Sequence, residues 1–362
     1  MRKHLWRTAP LLAFFAALVA FKPLPVSAQE YFDQYGLVSQ SSTLDLGGQP
    51  LGYPSGVISA VMQRDRILQQ ALNAIGHPLK VHAFRRGADM VGLLASHRLE
   101  AGLLGDMPTL LAASSRSVLV VGLVKQTSTS IVAAGVTQVQ LLKSRRIGYV
   151  PVSSAHNTLL QGLASVGLSE TDVTLVPLGV EDMPQALQRG EIDAFSAWEP
   201  APSLALSQGE KNRVIYRGLT SDYFVIDREF EQRAPEAARM LVAGFVRAIE
   251  WMRQSQKNLA LAAQWVLADG QGLTGKASAA TADQIMVITR RDLLGVPSAP
   301  VIVRTATATP PLKNEFEFLE RLGKIQSPGT WGNVADAFSY DGLRRVLADP
   351  RKYQVRVFDY QE

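Results

Sequence analysis

Short apolar runs alternate with segments of helical spacing through residues 144–200. Three of the runs are expected to be strands: residues 147–150, 173–178 and 194–198. The segment between the first two runs places four apolar side chains on one helix face: Leu159, Leu160, Leu163 and Val166. A shorter helical segment at residues 183–187 precedes the third run. Strand–helix–strand–helix–strand over this length predicts a parallel α/β unit.

A second alternation of the same kind occupies residues 43–124. We expect strands at residues 43–46, 79–84, 101–104 and 118–124. Helices are expected at residues 57–75 and 89–96, and a further helix from Gly105-Asp106-Met107-Pro108 onward. From Pro235 the pattern becomes helical, with segments at residues 235–252, 257–268 (ended by Gly270), 314–322 and 341–348.

The two alternations predict an α/β protein with two lobes, each a mixed sheet flanked by helices. Lobe I is expected to be discontinuous, with residues 29–135 plus 226–362, and lobe II to hold residues 136–225. Segments 128–134, 213–216 and 224–226 are expected to carry the chain between the lobes as strands. Residues 297–312, rich in Pro, Thr and Ala, are predicted to be a linker.

The first residues predict a secretory signal peptide. Arg2, Lys3 and Arg7 form a basic start, residues 11–21 are apolar, and small residues precede a predicted cleavage point after Ala28. The apolar run is short for a bilayer-spanning anchor, which is the alternative. Residues 1–28 are therefore assigned to export, and we expect the mature protein in the periplasm.

Export changes what the charge implies. The whole chain carries 37 Lys and Arg against 32 Asp and Glu, a formal net charge of +5. Four of the basic residues lie in residues 1–28, so 33 basic and 32 acidic side chains remain. A near balance does not predict a nucleic-acid partner. The chain has no cysteine, so its 362 residues must be held by core burial without disulfides.

No catalytic or metal site is predicted. Residues 270–277 approach the pattern of a phosphate loop, but Ala277 stands where the magnesium-binding Ser or Thr belongs. The histidines lack the helical pairing of a zinc site, and no serine has a nucleophile-elbow pattern. We expect no cofactor and no enzymatic activity. A periplasmic enzyme would need a titratable pair, for which His156 with Glu199 is the candidate.

Two helix starts are the candidate anion sites. Ser153-Ser154-Ala155-His156 follows a predicted strand, and a serine cap there leaves backbone N–H groups and the positive end of the helix dipole facing a cleft. Gly105-Asp106 has the same position in the first lobe. The alternative for both is ordinary N-capping, which every helix requires.

Three further groups are candidates with competing structural roles. Trp198 and Glu199 end a strand and offer an apolar wall beside a carboxylate, but Trp198 could be core and Glu199 could cap the next helix. Tyr53 and Ser55 belong to a glycine-rich loop and could equally form an exposed turn. Arg85 and Arg86 are adjacent, so at most one is expected to enter a cleft, and a solvated loop is the simpler interpretation.

The chain resembles the periplasmic substrate-binding proteins of ABC importers, in the nitrate/sulfonate/taurine group that also includes thiamine-precursor binders. The resemblance depends on a series of segments in order: Gly105-Asp106-Met107-Pro108, Arg146-Ile147-Gly148-Tyr149-Val150-Pro151, Ser153-Ser154-Ala155-His156, Gly190-Glu191-Ile192-Asp193-Ala194 and Trp198-Glu199-Pro200. It covers residues 45–270.

The resemblance implies a type II periplasmic binding protein fold, in which two lobes joined by a two-strand hinge close on a small molecule. It also implies the ligand contacts, which are Gln49, Tyr53, Ser55, Gly105, Asp106, Ser153, Ser154, His156, Trp198 and Glu199. The closed form is expected to dock on the transmembrane permease of an ABC importer, and the protein is expected to be a monomer.

The favoured ligand is a small anionic or zwitterionic solute, most of all an aliphatic sulfonate. Two alternatives stay open: a sensing protein that reports to a membrane receptor, and a binder of a pyrimidine or thiamine precursor. The loop after the first strand is longer than the group's usual one, and Ser144-Arg145-Arg146 replaces its usual Gly-Lys-Lys. An enzyme branch of the fold that makes a pyrimidine uses a cysteine-rich motif, which this chain lacks.

Overall fold

The computed structural model describes residues 35–39, 41–294, 312–325 and 330–361. The predicted signal peptide, and the predicted linker except for its last residue, lie outside this part of the chain. Within it, no helix combines the length and apolar character needed to span a membrane.

One sheet of eight strands organises the molecule, in the order β2-β1-β3-β8-β4-β7-β5-β6. The strands are β1 Leu44–Gly48, β2 Leu79–Ala83, β3 Ala101–Gly105, β4 Val118–Ala134, β5 Arg146–Tyr149, β6 Thr174–Pro177, β7 Ala194–Ala197 and β8 Asn212–Asp227. The β1, β2 and β3 strands are parallel to one another, as are β5, β6 and β7, whereas β8 runs antiparallel to both β3 and β4.

Helices flank the sheet. They are α1 Ser55–Gln63, α2 Arg66–Ala74, α3 Ala88–Ala95, α4 Asp106–Ser114, α5 Ser154–Ala164, α6 Met183–Gln188, α7 Ala201–Gln208, α8 Arg228–Arg233, α9 Pro235–Gln254, α10 Gln256–Thr274, α11 Ala282–Leu294, α12 Lys313–Arg321, α13 Trp331–Ala337 and α14 Asp341–Ala348. Short 3₁₀ turns occur at Val139–Leu142 and Glu170–Asp172. The α/β fold class predicted from the sequence is confirmed.

Two long paired strands join the halves of the sheet. The β4 strand (17 residues) and the β8 strand (16 residues) pair antiparallel along their length. We call β1–β3 with their helices lobe I and β5–β7 with theirs lobe II. Separate strands were expected at residues 118–124 and 128–134, and again at 213–216 and 224–226. Those predictions were wrong, because the first two segments belong to the single strand β4 and the last two to the single strand β8. The polar residues between the apolar runs remain paired between β4 and β8.

The hydrophobic cores follow the same division. One large core combines β1, β3, the start of β4 and the end of β8 with helices that include α1, α9 and α10. Two smaller cores lie in lobe II, one with α6 and α7 and one with α5. The large core also contains Leu204 of α7, and β8 continues past residue 225, so the division of the chain at residues 135 and 225 stays a prediction.

Two helix boundaries differ from the prediction. The helix expected at residues 57–75 is two helices, because the Asp65 carboxylate accepts the backbone N–H of Leu68 and starts a new helix. The α10 helix runs through Gly270, which was expected to end it, and stops at Gly275 with a left-handed φ of 71°. Glycine adopts that conformation without a steric cost, so Gly275 is the actual C-terminal cap.

A buried ion pair fixes the junction of α1, α2 and α9. The Arg247 Nε donates to Asp65 Oδ2 at 2.7 Å, and the two side chains are 2% and 0% exposed. The same guanidinium donates to the backbone carbonyls of Tyr353 and Gln354, so it also holds the C-terminal segment.

Replacing Arg247 by Leu should destabilise the protein by about 3–5 kcal/mol, because Asp65 would be left buried without its counter-charge. Urea unfolding measures the loss. The matched control is Arg239→Leu on the same helix, where the pair with Glu236 is partly exposed and is expected to contribute about 0–1 kcal/mol. Equal losses in the two variants would contradict the assignment of Arg247 as the structural contact.

Candidate ligand-binding site

A polar cavity lies where the carboxyl ends of strands from both lobes meet, which is where open α/β sheets place their ligands. It encloses about 440 Å³ between atoms, open solvent at its mouth included. Its walls are Gln49, Gly52, Ser55, Gly87, Gly105, Pro108, Lys125, Thr129, Ser153, Ser154, Trp198 and Asp222. Six of the ten predicted site residues are therefore brought together: Gln49, Ser55, Gly105, Ser153, Ser154 and Trp198.

Four helices begin at this cavity. The α1 helix starts at Ser55, α3 follows Gly87, α4 follows Gly105 and α5 follows Ser153. Each helix start carries backbone N–H groups without an intrahelical acceptor and about half a positive charge from the helix dipole. Four such starts around one space make it attractive to negative charge.

The start of α5 shows which hydrogen-bond donors remain available to a ligand. Ser153 Oγ donates to the carbonyl of Val150 at 2.7 Å and accepts the backbone N–H of His156 at 3.2 Å. The hydroxyl of Ser153 therefore caps the helix, as the simpler interpretation of the sequence predicted. Helix geometry leaves the backbone N–H groups of Ser154 and Ala155 without an intrahelical acceptor.

The two lobes touch at Gly105 and Ser154. A Cβ atom at Gly105 would meet Ser154 Oγ, so any side chain at this position would require the Ser154 hydroxyl to turn away. The Ser154 hydroxyl also faces the carboxylate of Asp106, which lies fully buried beneath the cavity wall. Burial raises the pKa of Asp106 to about 6, against the hydrogen bonds from Ser154 and from the Met107 backbone, which lower it.

A buried charge pair forms the floor. Lys125 on β4 and Asp222 on β8 are directly opposite in the ladder, 3.4 Å apart from Nζ to Oδ2, with side chains 5% and 11% exposed. Ser55 Oγ donates to the same Asp222 oxygen, and Lys125 Nζ donates to the Tyr53 carbonyl at 3.1 Å. An ammonium has three N–H groups, so one donor of Lys125 is left for the cavity.

Sequence analysis missed Lys125, Thr129 and Asp222. The β4 strand is irregular around Lys125, where its register against β8 shifts between Leu123 and Lys125. Such an irregularity places one extra residue in the strand and redirects the following side chains, which an alternation pattern does not reveal. The usable signal was a charged residue inside each of two apolar strands, because a buried charge is rare without a partner or a function.

His156 lies outside the cavity. Its Nε2 is 2.9 Å from Glu170 Oε1, its Nδ1 accepts the backbone N–H of Val152 at 3.3 Å, and its ring packs on Tyr149. Val152 has a φ of 56°, a conformation that β-branched residues rarely adopt. The imidazole therefore shapes the turn that leads into α5, and burial lowers its pKa.

Glu199 and Tyr53 also point elsewhere. Glu199 Oε2 accepts the backbone N–H of Ser203 at 3.2 Å, which is the helix-capping role weighed in the sequence, and Arg291 lies 3.8 Å from its other oxygen. The Tyr53 side chain is buried beside a second cavity, where burial raises its pKa to about 12. Its backbone carbonyl, rather than its ring, serves the polar cavity through Lys125.

The two arginines of the loop after β2 both form ion pairs, and the partner of Arg86 is a buried carboxylate. Arg85 contacts Glu181 of lobe II at 2.7 Å, and Arg86 contacts Asp89 in the first turn of α3. Neither lines the polar cavity, whereas Arg85 lines the second cavity, in agreement with the expectation that at most one of the two enters a cleft.

The fold and the cavity define a two-lobe α/β protein of the binding-protein class. The model of the NMT1-like family matches residues 75–267, more than half of the chain, and the protein belongs to this family. The "Putative aliphatic sulfonates-binding protein" of Escherichia coli (strain K12) is 28% identical over 225 residues, 59% of this chain and 70% of that protein.

Two further proteins are similar. The taurine-binding periplasmic protein of the same strain is 26% identical over 190 residues, 48% of this chain and 59% of its own length. The structure of the alkanesulfonate-binding protein SsuA from Xanthomonas axonopodis pv. citri bound to MOPS has a TM-score of 0.61 at 22% identity, over 83% of this chain and 99% of that one. The predicted resemblance is confirmed, and these relatives are named as binding proteins.

The raised pKa of Asp106 predicts that the free energy of unfolding falls as the pH rises. Because the folded protein holds this proton above the usual value of 3.8, the contribution of Asp106 to stability is lost as the pH rises through about 6. The Asp106→Asn variant has no carboxyl group at this position, so this pH-dependent loss of stability is absent from it. The stability of the variant relative to the parent protein should therefore rise by about 1 kcal/mol between about pH 5 and about pH 7.5.

Urea unfolding at both pH values measures this change. The control is Asp172→Asn at a partly exposed carboxylate, whose pKa is lowered by hydrogen bonds from Ser169, so its difference from the parent should be the same at both pH values. A flat difference for Asp106→Asn would contradict a raised pKa.

Proposed function

We propose that the protein is a periplasmic solute-binding protein of an ABC importer, and that its ligand is a small organosulfonate. The carrying observation is that four helix starts and the buried ammonium of Lys125 converge on one cavity between two lobes. Membership of the NMT1-like family and the sulfonate- and taurine-binding relatives support the same ligand class.

The sulfonate group is assigned to the α5 side of the cavity. Three oxygens share its charge, so it can accept several N–H groups at once without a bidentate arginine. The backbone N–H groups of Ser154 and Ala155 and the remaining N–H of Lys125 supply them, while the Ser154 hydroxyl and Thr129 stand at the edges. The organic part then packs on the indole of Trp198.

Asp222 favours a zwitterion as a second candidate. Its carboxylate is held by Lys125 and Ser55, but it still lines the cavity and places a negative charge there. A ligand that carries an ammonium as well as a sulfonate would match both charges of the floor. An aminosulfonate is therefore expected to bind more tightly than the simple sulfonate of the same length.

The remaining predicted partners follow from this role. A closed binding protein docks on the transmembrane subunits of its importer, and one copy of the chain contains the complete cavity, so we propose a monomer in solution. Of the predicted contacts, Gln49, Ser55, Gly105, Ser153, Ser154 and Trp198 are proposed as ligand-lining. Tyr53, Asp106, His156 and Glu199 are proposed to support the walls.

Mass spectrometry of the natively purified protein identifies a retained ligand, and calorimetry measures affinity for methanesulfonate and taurine.

Ser154→Leu should weaken binding roughly tenfold or more, since the side chain meets Gly105 across the cleft and fills the space at the start of α5. Ser165→Leu, at the exposed C-terminal end of the same helix, should leave affinity unchanged.

The thermal transition of both variants is measured in parallel, so that lost binding can be separated from lost folding. Sulfonate affinity that survives Ser154→Leu in a folded protein would contradict this site. Retention of a pyrimidine, or of no anion at all, would contradict the ligand class and favour the alternative named from the sequence.

A further inference from the structure

A buried carboxyl group lies directly behind the proposed sulfonate position. Asp106 is the first residue of α4 in lobe I, and it is 0% exposed. Its Oδ1 accepts the backbone N–H of Met107 at 2.7 Å. Among the residues that the structure describes, its Oδ2 has no hydrogen-bond partner. A buried, charged oxygen without a donor is costly, so Oδ2 is the oxygen on which a proton is most favourable.

Ser154 stands between this carboxyl group and the polar cavity. Its hydroxyl faces Asp106 from the first turn of α5 in lobe II, and the same residue lines the cavity. A hydroxyl has one O–H donor and two lone pairs, so it cannot donate to Asp106 and to a ligand at once. The direction of this one O–H bond therefore decides whether a ligand meets a donor or an acceptor at Ser154.

The charge on Asp106 sets that direction. An ionised carboxylate only accepts hydrogen bonds, so it draws the Ser154 O–H bond to itself and leaves oxygen lone pairs toward the cavity. A protonated Asp106 is a donor, and Ser154 Oγ is then its acceptor. The hydroxyl hydrogen of Ser154 is released for an anion in the cavity, and the negative charge behind the wall is removed as well.

The charged neighbours of Asp106 act in both directions. Lys125 on β4 favours the ionised form, and Asp222 on β8 opposes it. Glu315 on α12 is a second buried carboxyl group that interacts with Asp106. Burial, together with the charge of Asp106, raises the pKa of Glu315 well above its ordinary value. The two carboxyl groups therefore retain protons that isolated carboxyl groups would lose.

Other titratable groups around α4 are neutral, paired or exposed. Tyr223 on β8 is neutral, because burial raises the pKa of its phenol well above its usual value. The α3 and α13 helices also pack on α4. On α3, Asp89 is paired with Arg86, and on α13, Asp336 is exposed. Burial therefore remains the main cause that raises the pKa of Asp106 to about 6.

We propose that Asp106 is a positioning residue whose protonated form turns the Ser154 hydroxyl toward the bound anion, so that ligand binding takes up a proton from solvent. The proposal rests on the proposed function and adds a regulation of the same site. A bound sulfonate disfavours a second negative charge behind the wall, so it favours the protonated form in turn. Affinity is therefore expected to be constant at low pH and to fall as the pH rises above about 6.

Calorimetry with methanesulfonate between about pH 5.5 and about pH 8 tests the proposal, because this ligand stays ionised throughout. If the bound anion favours the protonated form about tenfold, Kd should increase about sevenfold over this range. In non-sulfonate buffers of different ionisation enthalpy, the uptake at about pH 6.5 should be roughly half a proton. An affinity that is independent of pH would overturn the proposal and leave the proposed function standing. Absence of binding at every pH would overturn both.

Matched variants assign the proton. Asp106→Asn has no proton to gain, and its amide can donate to Ser154 Oγ. Its affinity should therefore be independent of pH and equal to that of the parent protein at low pH. Glu100→Gln is the control, because Glu100 is also buried with a pKa raised to about 7, but it lies before β3 whereas Asp106 follows that strand. This variant should retain the full change with pH.

Ser154→Ala tests whether the coupling passes through the hydroxyl. This variant should bind more weakly at low pH and lose most of the change in Kd with pH. The folding of every variant is checked by circular dichroism. A full change that persists in folded Asp106→Asn or in folded Ser154→Ala would overturn the proposal, as would its loss in folded Glu100→Gln.

Discussion

The pair of Lys125 and Asp222 is the constraint on which the site depends. Removing two charges from water costs several kcal/mol per ion, and the loss is recovered only when the pair is close and its other bonds are satisfied. Three features of the structure meet that requirement. The Ser55 hydroxyl donates to Asp222, Lys125 donates to the Tyr53 carbonyl, and the pairing of β4 with β8 holds the two charged residues opposite each other. The same two strands connect the lobes, so the charged floor of the cavity lies on the connection between them.

The C-terminal segment ties the lobes together a second time. Asn157 on α5 donates to Glu315 on α12 at 2.7 Å, and Lys324 contacts Glu170 at 2.7 Å, the carboxylate that also holds His156. Further along, Asn333 donates to the carbonyl of Ser114 at the end of α4 in lobe I. The α5 helix, which begins at the polar cavity, is therefore held in place by residues far from it in sequence.

Local signals predicted much of this arrangement. Helix starts and strand ends are short-range features, and the rule that ligands lie beyond the carboxyl ends of strands brought Ser153, Ser154, Gly105 and Trp198 to one place. What failed was the direction of single side chains, because Glu199 accepts a backbone N–H of α7 and His156 pairs with Glu170 of its own lobe. Lys125 and Asp222 were missed since their partnership spans 97 positions of chain and depends on the irregular register of β4.

A crystal structure of the protein with methanesulfonate tests the central claim most directly. The account predicts sulfonate oxygens within about 2.7–3.2 Å of Lys125 Nζ and of the backbone N–H of Ser154, with Trp198 against the methyl group. A sulfonate bound elsewhere, or one in this cavity that does not contact Lys125, would contradict it.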